Sequence, residues 1–97
     1  MLSPTPREWL IDADRRPTFL WDVDTTEDEL RVLLRDPDAE VRAYWVGKLL
    51  RQAKPDDVFG YVGWEEITAA WPLIEGRLGR QGAFWAWWMR RREQGDR

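Results

Sequence analysis

The sequence predicts an all-α protein, a compact bundle of five or six short helices that form one domain over residues 1–97. Apolar residues recur at the three- and four-residue spacing of helices along most of the chain. The segments with this spacing begin at capping residues or prolines and end before prolines or glycines. Only one short stretch favours β-structure, and the sequence offers no second strand to pair with it.

The first helix is predicted to begin at Thr5, which can cap it, with Pro6 in the first helical position and Glu8 three residues after the cap. It should end near residues 12–14. The next segment, Thr18–Trp21, has high β-propensity but is only four residues long. We therefore expect an extended connector that carries aromatic side chains into the core.

The two central helices are predicted to meet at a proline. Thr26 and Glu29 form a capping box that opens the second helix, which Pro37 should stop by Asp36. Asp36 can then cap the third helix, with Pro37 in its first position. This third helix should run to about Ala53, and its apolar face makes it the best-defined element of the sequence.

The second half of the chain predicts three further helices. A short one begins at Pro55, and Gly63 opens another over 64–74, which Pro72 should kink or split. After a loop punctuated by glycines, the last helix runs from about Ala83 to Gln94. The predicted core draws on all these segments and includes Leu30, Leu33, Val41, Trp45, Leu49, Val58, Ile67, Trp71, Phe84 and Trp88.

The composition excludes most catalytic and metal-binding chemistry. The chain has no cysteine and no histidine, so it lacks thiolate ligands and nucleophiles, the commonest general base and the commonest metal-ligating side chain. Asp22 and Asp24 have the spacing that opens a calcium loop, but the sixth and twelfth positions are Glu27 and Leu33 instead of glycine and glutamate. We therefore predict no catalytic residue, no metal site and no cofactor.

Composition and charge also indicate a cellular setting. We expect a cytoplasmic protein, because cysteine is absent and Met1–Ile11 contains no secretory signal, and no apolar run is long enough to span a membrane. The 13 arginines against two lysines favour a GC-rich bacterial genome. Net charge is −3, but residues 1–40 carry 11 acids against five bases, whereas residues 77–97 carry two acids against six bases.

The most distinctive segment is Phe19–Asp24, which places large apolar side chains directly beside two carboxylates. In one interpretation Trp21 anchors a partner protein while Asp22 and Asp24 meet its basic groups. In the other, Phe19 and Trp21 fill the core and the aspartates cap neighbouring turns. The sequence leaves both interpretations open.

The last predicted helix combines aromatic and basic residues. As an ordinary core helix it would turn Trp85 and Trp88 inward and leave Trp87 at or near the surface. As a docking surface it would offer Trp87 and its arginines to a protein, to nucleic acid through stacking and phosphate contacts, or to a membrane surface. The arginines in question are Arg90, Arg91 and Arg92.

Two resemblances accompany these patterns. The segment Pro17–Asp24 resembles that of short bacterial proteins in which a "FLWD-x-D" stretch precedes a helical body. Some of those proteins are encoded beside nucleotidyltransferase-type toxins, which implies an antitoxin-like or accessory role. The segment Asp36–Arg42, followed by Leu49-Leu50, is similar to the opening of one HEAT-type helical repeat, and this implies a HEAT-like helical pair at the centre of the fold.

Together these observations predict a non-catalytic protein–protein interaction module. Its partner would be another bacterial protein or a second copy of the chain. The candidate contact residues are Trp21, Asp22, Asp24, Trp87, Arg90, Arg91 and Arg92. A nucleic-acid-binding protein that uses the basic C-terminal helix is the alternative, and an enzyme that depends on carboxylates is a third hypothesis.

Overall fold

A computed structural model describes residues 3–95 of the chain, with side chains up to Arg92. Residues 1, 2, 96 and 97 of the predicted domain lie outside the described part. The described chain contains six α-helices, one 3₁₀ turn at Gly79–Gln81, and no β-strand beyond an isolated bridge between Ile11 and Pro17. The all-α prediction is confirmed. The helices are α1 (Arg7–Leu10), α2 (Glu27–Leu33), α3 (Ala39–Gln52), α4 (Pro55–Val58), α5 (Trp64–Ile74) and α6 (Gly82–Gly95).

Helix α3 is the centre of the bundle, because it packs against α2, α4, α5 and the 3₁₀ turn. Its inner face is apolar and closely packed, with Val46, Leu49 and Leu50 almost completely buried. Helix α6 is joined to it through Trp85, whose buried indole N–H donates a hydrogen bond of 3.1 Å to the carbonyl oxygen of Leu50. The most extensive helix pair is α3 with α5, and the HEAT-type likeness of this region stays a prediction.

The predicted core is right in its aliphatic centre and partly right at its edges, where Trp45, Trp71 and Trp88 pack against the buried cluster. Four predicted residues, Leu30, Leu49, Val58 and Ile67, are fully buried. The residues that are only half-buried are Leu33, Val41, Trp45, Trp71 and Trp88, and Phe84 is exposed. A domain of this size has too little interior to enclose many large rings, so most tryptophans lie at the rim and only Trp85 is fully enclosed.

The N-terminal segment departs from its prediction, because Thr5 does not cap α1. The backbone N–H and the hydroxyl of Thr5 both donate to the carboxylate of Asp57, each at 2.6 Å. Helix α1 begins at Arg7, with Pro6 at the N-cap position and not in the first helical position, and it ends at Leu10 instead of reaching residues 12–14. A contact across 52 positions in sequence has replaced the local cap that the pattern predicted.

The connector before α2 is also different from its prediction, since it consists of turns and is not extended. The N–H of Leu20 donates to the carbonyl of Pro17 at 3.0 Å, and the N–H of Val23 donates to that of Leu20 at 3.4 Å. These turns direct neighbouring side chains oppositely, so that Leu20 is buried and Trp21 faces solvent.

The junction of α2 and α3 confirms one cap and corrects another. The capping box of Thr26 and Glu29 is present, as predicted. Asp36, however, accepts the N–H of Asp38 at 2.8 Å, and Asp38 itself caps α3 by accepting the N–H of Glu40 at 2.8 Å. The carboxylate of Asp36 thus stabilises the turn before α3, and the helix begins at Ala39 instead of at Pro37.

The second half of the chain follows the predicted order of helices. Helix α4 begins at Pro55, and α5 runs without a break through Pro72. Pro72 has no backbone N–H and therefore removes one hydrogen bond from α5. Because Pro72 lies in the last turn, the helix loses this bond only near its end. The loop that follows needs glycine at Gly76 and Gly79, which have φ angles of +85° and +58°.

Candidate protein-binding face

Trp21 is the most exposed large apolar side chain of the described residues, with 79% of its surface accessible. Its two neighbours in the segment point inward: Leu20 is buried, and Phe19 packs edge-on against Tyr61 with ring centroids 5.8 Å apart. The core-filling interpretation of this segment is therefore right for Phe19 and wrong for Trp21.

Asp22 attaches the turn that contains Trp21 to helix α3. Its carboxylate forms an ion pair of 2.6 Å with Lys48 and accepts a hydrogen bond of 3.2 Å from Gln52. The hydrogen bond from Lys48, and then that from Gln52, holds the pKa of Asp22 below its ordinary value. Lys48 is only 3% exposed, so the turn covers this ammonium group almost completely. Asp22 is thus occupied within the molecule, and its expected contact with a partner stays a prediction.

Asp24 keeps its carboxylate at the surface. It forms an ion pair of 2.9 Å with Arg16, whose guanidinium also reaches Asp12 and Asp14. The Asp24 side chain is 96% exposed, so this pair leaves it accessible to a binding partner.

A groove of about 490 Å³ lies beside this turn, between α3 and the end of α5. Its floor is formed by small and apolar residues, among them Gly47, and it is flanked by the exposed side chains of Tyr44 and Leu73. Arg51 and Arg77 line it as well. Lys48 belongs to this lining and to the ion pair with Asp22, so the groove and the Trp21 turn are neighbours. We refer to Trp21, Asp22, Asp24 and the groove together as the Trp21 face.

The second predicted contact region, on α6, forms a separate exposed stripe. Phe84, Trp87 and Arg91 follow one another at helical spacing, and all three are exposed. The guanidinium of Arg91 lies 5.4 Å from the ring centroid of Trp87. Trp87 is 49% exposed, which confirms its predicted place near the surface. Arg90 is exposed too, whereas the guanidinium of Arg92 lies over the ring of Trp64 at 5.4 Å.

The two predicted contact regions are held by different residues of α3. The Trp21 turn is bound to Lys48 and Gln52, while α6 is bound at Leu50. The sequence-predicted residues therefore belong to two regions: Trp21, Asp22 and Asp24 lie on the turn before α2, and Trp87 and the three arginines lie on α6.

A third polar cluster, centred on Glu27, was not predicted. Its carboxylate accepts hydrogen bonds from the Arg7 guanidinium at 2.7 and 2.9 Å and from the Tyr61 hydroxyl at 2.8 Å, and Arg31 lies 3.6 Å away. The hydrogen bonds from Arg7, the strongest influence, hold the pKa of Glu27 at about 2. Burial and the bond to Glu27 raise the pKa of Tyr61. These residues tie α1, α2 and the segment after α4 together.

Comparison of the chain with family models, with curated proteins and with solved structures finds no match in any of the three. Among the side chains that the structure describes, up to Arg92, no group of three or more carboxylates is arranged to hold a metal ion. None of the helices in this described part combines the length and the apolarity needed to cross a bilayer.

Proposed function

We propose that this chain is a non-catalytic protein-interaction module of the bacterial cytoplasm that binds its partner through the Trp21 face. The observation that carries the proposal is the 79% exposure of Trp21 on a turn that is held in place on both sides. Leu20 anchors the turn in the core, and the ion pair between Asp22 and Lys48 ties it to α3.

A rigid exposed tryptophan is well suited to protein recognition. Tryptophan is enriched among the residues that dominate binding energy, because its large ring displaces water over a wide area. A side chain whose backbone is already ordered also loses less conformational entropy when it binds. Asp24, exposed beside it, supplies a charge that can select a basic partner surface.

The antitoxin-like role implied by the "FLWD-x-D" resemblance is one specific form of this proposal. It requires the partner to be a toxin-type enzyme, and identification of the bound protein tests it directly. The exposed carboxylate of Asp24 is compatible with a basic enzyme surface, but it does not distinguish such an enzyme from other basic partners.

Nucleic-acid binding through α6 is the second candidate. Residues 76–92 contain five arginines and no acid, and the exposed Trp87 lies against Arg91. Such a surface can stack bases and contact phosphates. It predicts an affinity that falls steeply as the salt concentration rises, whereas docking through Trp21 predicts a weaker dependence on salt.

Affinity capture from the native cell lysate, with and without nuclease, tests both candidates. We expect one stoichiometric protein that survives nuclease, is lost with Trp21→Ala and is retained with Trp9→Ala. Trp9 is the matched control, since it is 72% exposed but lies on α1. Retention of the partner by Trp21→Ala would contradict the proposal. Recovery of nucleic acid that depends on Trp87 would favour the second candidate.

A further inference from the structure

The Trp21 face contains both a projecting group and a recess, and they lie side by side. The projecting group is Trp21 with the carboxylate of Asp24, whose side chain is 96% exposed. The recess is the groove between α3 and α5. We infer that a second copy of this chain occupies the groove with its own Trp21, so that two copies form a symmetric dimer. This inference rests on the proposed role of Trp21 in protein binding.

The groove is large enough to take an indole ring and offers it apolar contacts. Its volume of about 490 Å³ is within the range of pockets that enclose small organic ligands. Buried Ala43 and Ile74 form apolar floor, and the exposed side chains of Tyr44 and Leu73 offer contacts to an inserted ring. Insertion of Trp21 would remove its own exposed surface and that of these two residues from water.

The charges around the groove complement those around Trp21. Arg51 and Arg77 line the groove and are exposed, while Glu40 is its acidic lining residue. Asp24, which follows Trp21 by three residues, is almost fully exposed. A copy that inserts Trp21 therefore brings a carboxylate toward a surface with excess positive charge.

A two-fold dimer requires the projecting group and the recess to be neighbours within each copy, and the Trp21 turn and the groove share Lys48. In such a dimer the same patch is used by both copies, so that residue i of one copy meets residue j of the other and the reverse. The ion pair of Asp22 with Lys48 keeps the turn next to the groove within each copy. Rotation about an axis between the two features then places each Trp21 against the groove of the other copy.

Sedimentation velocity over a wide range of protein concentrations tests this inference with four purified proteins. These are the wild-type chain, Trp21→Ala, Leu73→Glu and the control Trp9→Ala. We expect a concentration-dependent dimer for the wild type and for Trp9→Ala, and dissociation constants at least tenfold higher for Trp21→Ala and Leu73→Glu. Circular dichroism checks that each variant is folded, and Tyr44→Glu replaces Leu73→Glu if the latter is not.

A mixture of the two defective variants provides the decisive measurement. In a heterodimer of Trp21→Ala with Leu73→Glu, the copy without Trp21 faces the altered groove, so this contact is lost. The intact Trp21 of the Leu73→Glu copy faces the unaltered groove of the other copy, so the second contact is retained. The mixture should therefore dimerise more tightly than either variant alone. A wild-type monomer at every concentration, a dimer indifferent to Trp21→Ala, or no gain on mixing would each overturn the inference. If one of these outcomes rules out the dimer but capture of a different protein still depends on Trp21, the proposed function stands.

Discussion

At the residue scale, Lys48 explains why the Trp21 turn has a fixed position. An ammonium group that is almost completely buried needs a counter-charge, and Asp22 supplies it from the turn. Neither residue signals this pairing in the sequence, because a lysine on a predicted helix is ordinarily solvated and 26 positions separate the two. The charge of Asp22 therefore has a structural role that its place beside Trp21 does not reveal.

This pairing predicts a specific pattern of stabilities. Asp22→Asn should destabilise the protein, because it leaves Lys48 buried without a counter-ion. The double variant Asp22→Asn with Lys48→Met should be more stable than Asp22→Asn alone, since no buried charge remains. Urea denaturation of both variants and of Lys48→Met measures the coupling. Additive effects of the two substitutions would show that the pair does not hold the turn.

Glu27 predicts how stability responds to acid. Its pKa is lowered from 4.5 to about 2 in the folded protein, so the unfolded chain binds its proton first as the pH falls. The stabilisation is therefore complete above about pH 5, decreases as the pH falls below 4.5 and is lost near pH 2. Its size is on the order of a few kcal/mol at most.

The comparison of wild type with Glu27→Gln isolates this effect. The difference in unfolding free energy between the two should be constant near neutral pH and should shrink between pH 4.5 and 2. Glu65→Gln, at an exposed position in the first turn of α5, is the control. A difference that does not change with pH would mean that Glu27 acts only through its shape and not through its charge.

At the element scale, the best-predicted features are those that a few adjacent residues determine. The capping box of α2 is an example, since Thr26 and Glu29 satisfy each other's backbone N–H groups within one turn. Thr26→Ala should lower the free energy of unfolding by about 1 kcal/mol, whereas Thr26→Ser should retain most of the cap. Thermal and urea unfolding of the two variants measure the difference, and equal losses would contradict the role of the hydroxyl.

The predictions are wrong where a residue forms a contact with a group distant in sequence instead of the predicted local contact. Thr5 has the sequence context of a cap, but its hydroxyl binds Asp57 of α4 instead. The aromatic connector has the β-propensity of a strand, yet without a partner strand its backbone forms turns that separate Leu20 from Trp21. Such outcomes depend on which side chains the fold brings near, and periodicity within one segment does not contain that information.

Helix α6 provides a matched pair of tryptophans. Trp85 is fully buried and donates to Leu50, whereas Trp87 is 49% exposed. Trp85→Phe should destabilise the protein by about 1–3 kcal/mol, because it leaves a cavity and removes the partner of a buried carbonyl. Trp87→Phe should change the stability by less than about 0.5 kcal/mol. Guanidinium denaturation compares them, and equal effects would contradict the orientation of α6.

At the scale of the whole molecule, the fold class was predictable and the arrangement of the candidate site was not. Helical periodicity and caps determine that the chain is all-α, and the exposure of Trp87 follows from its position between the inward Trp85 and Trp88. The sequence could not show that the Trp21 turn is held by Lys48 and Gln52 and that α6 is held at Leu50. It also could not show that Tyr44 and Leu73 flank a groove beside Trp21, because these residues lie on separate helices.

The central claim is that the chain recognises another protein through the Trp21 face. Amide hydrogen exchange of the complex recovered by affinity capture, compared with that of the free chain, tests it most directly. We predict protection of the turn around Trp21 and of the exposed part of α3 near Tyr44, with α6 unchanged. Protection confined to α6, around Trp87 and Arg91, would contradict the claim and assign recognition to the basic C-terminal helix.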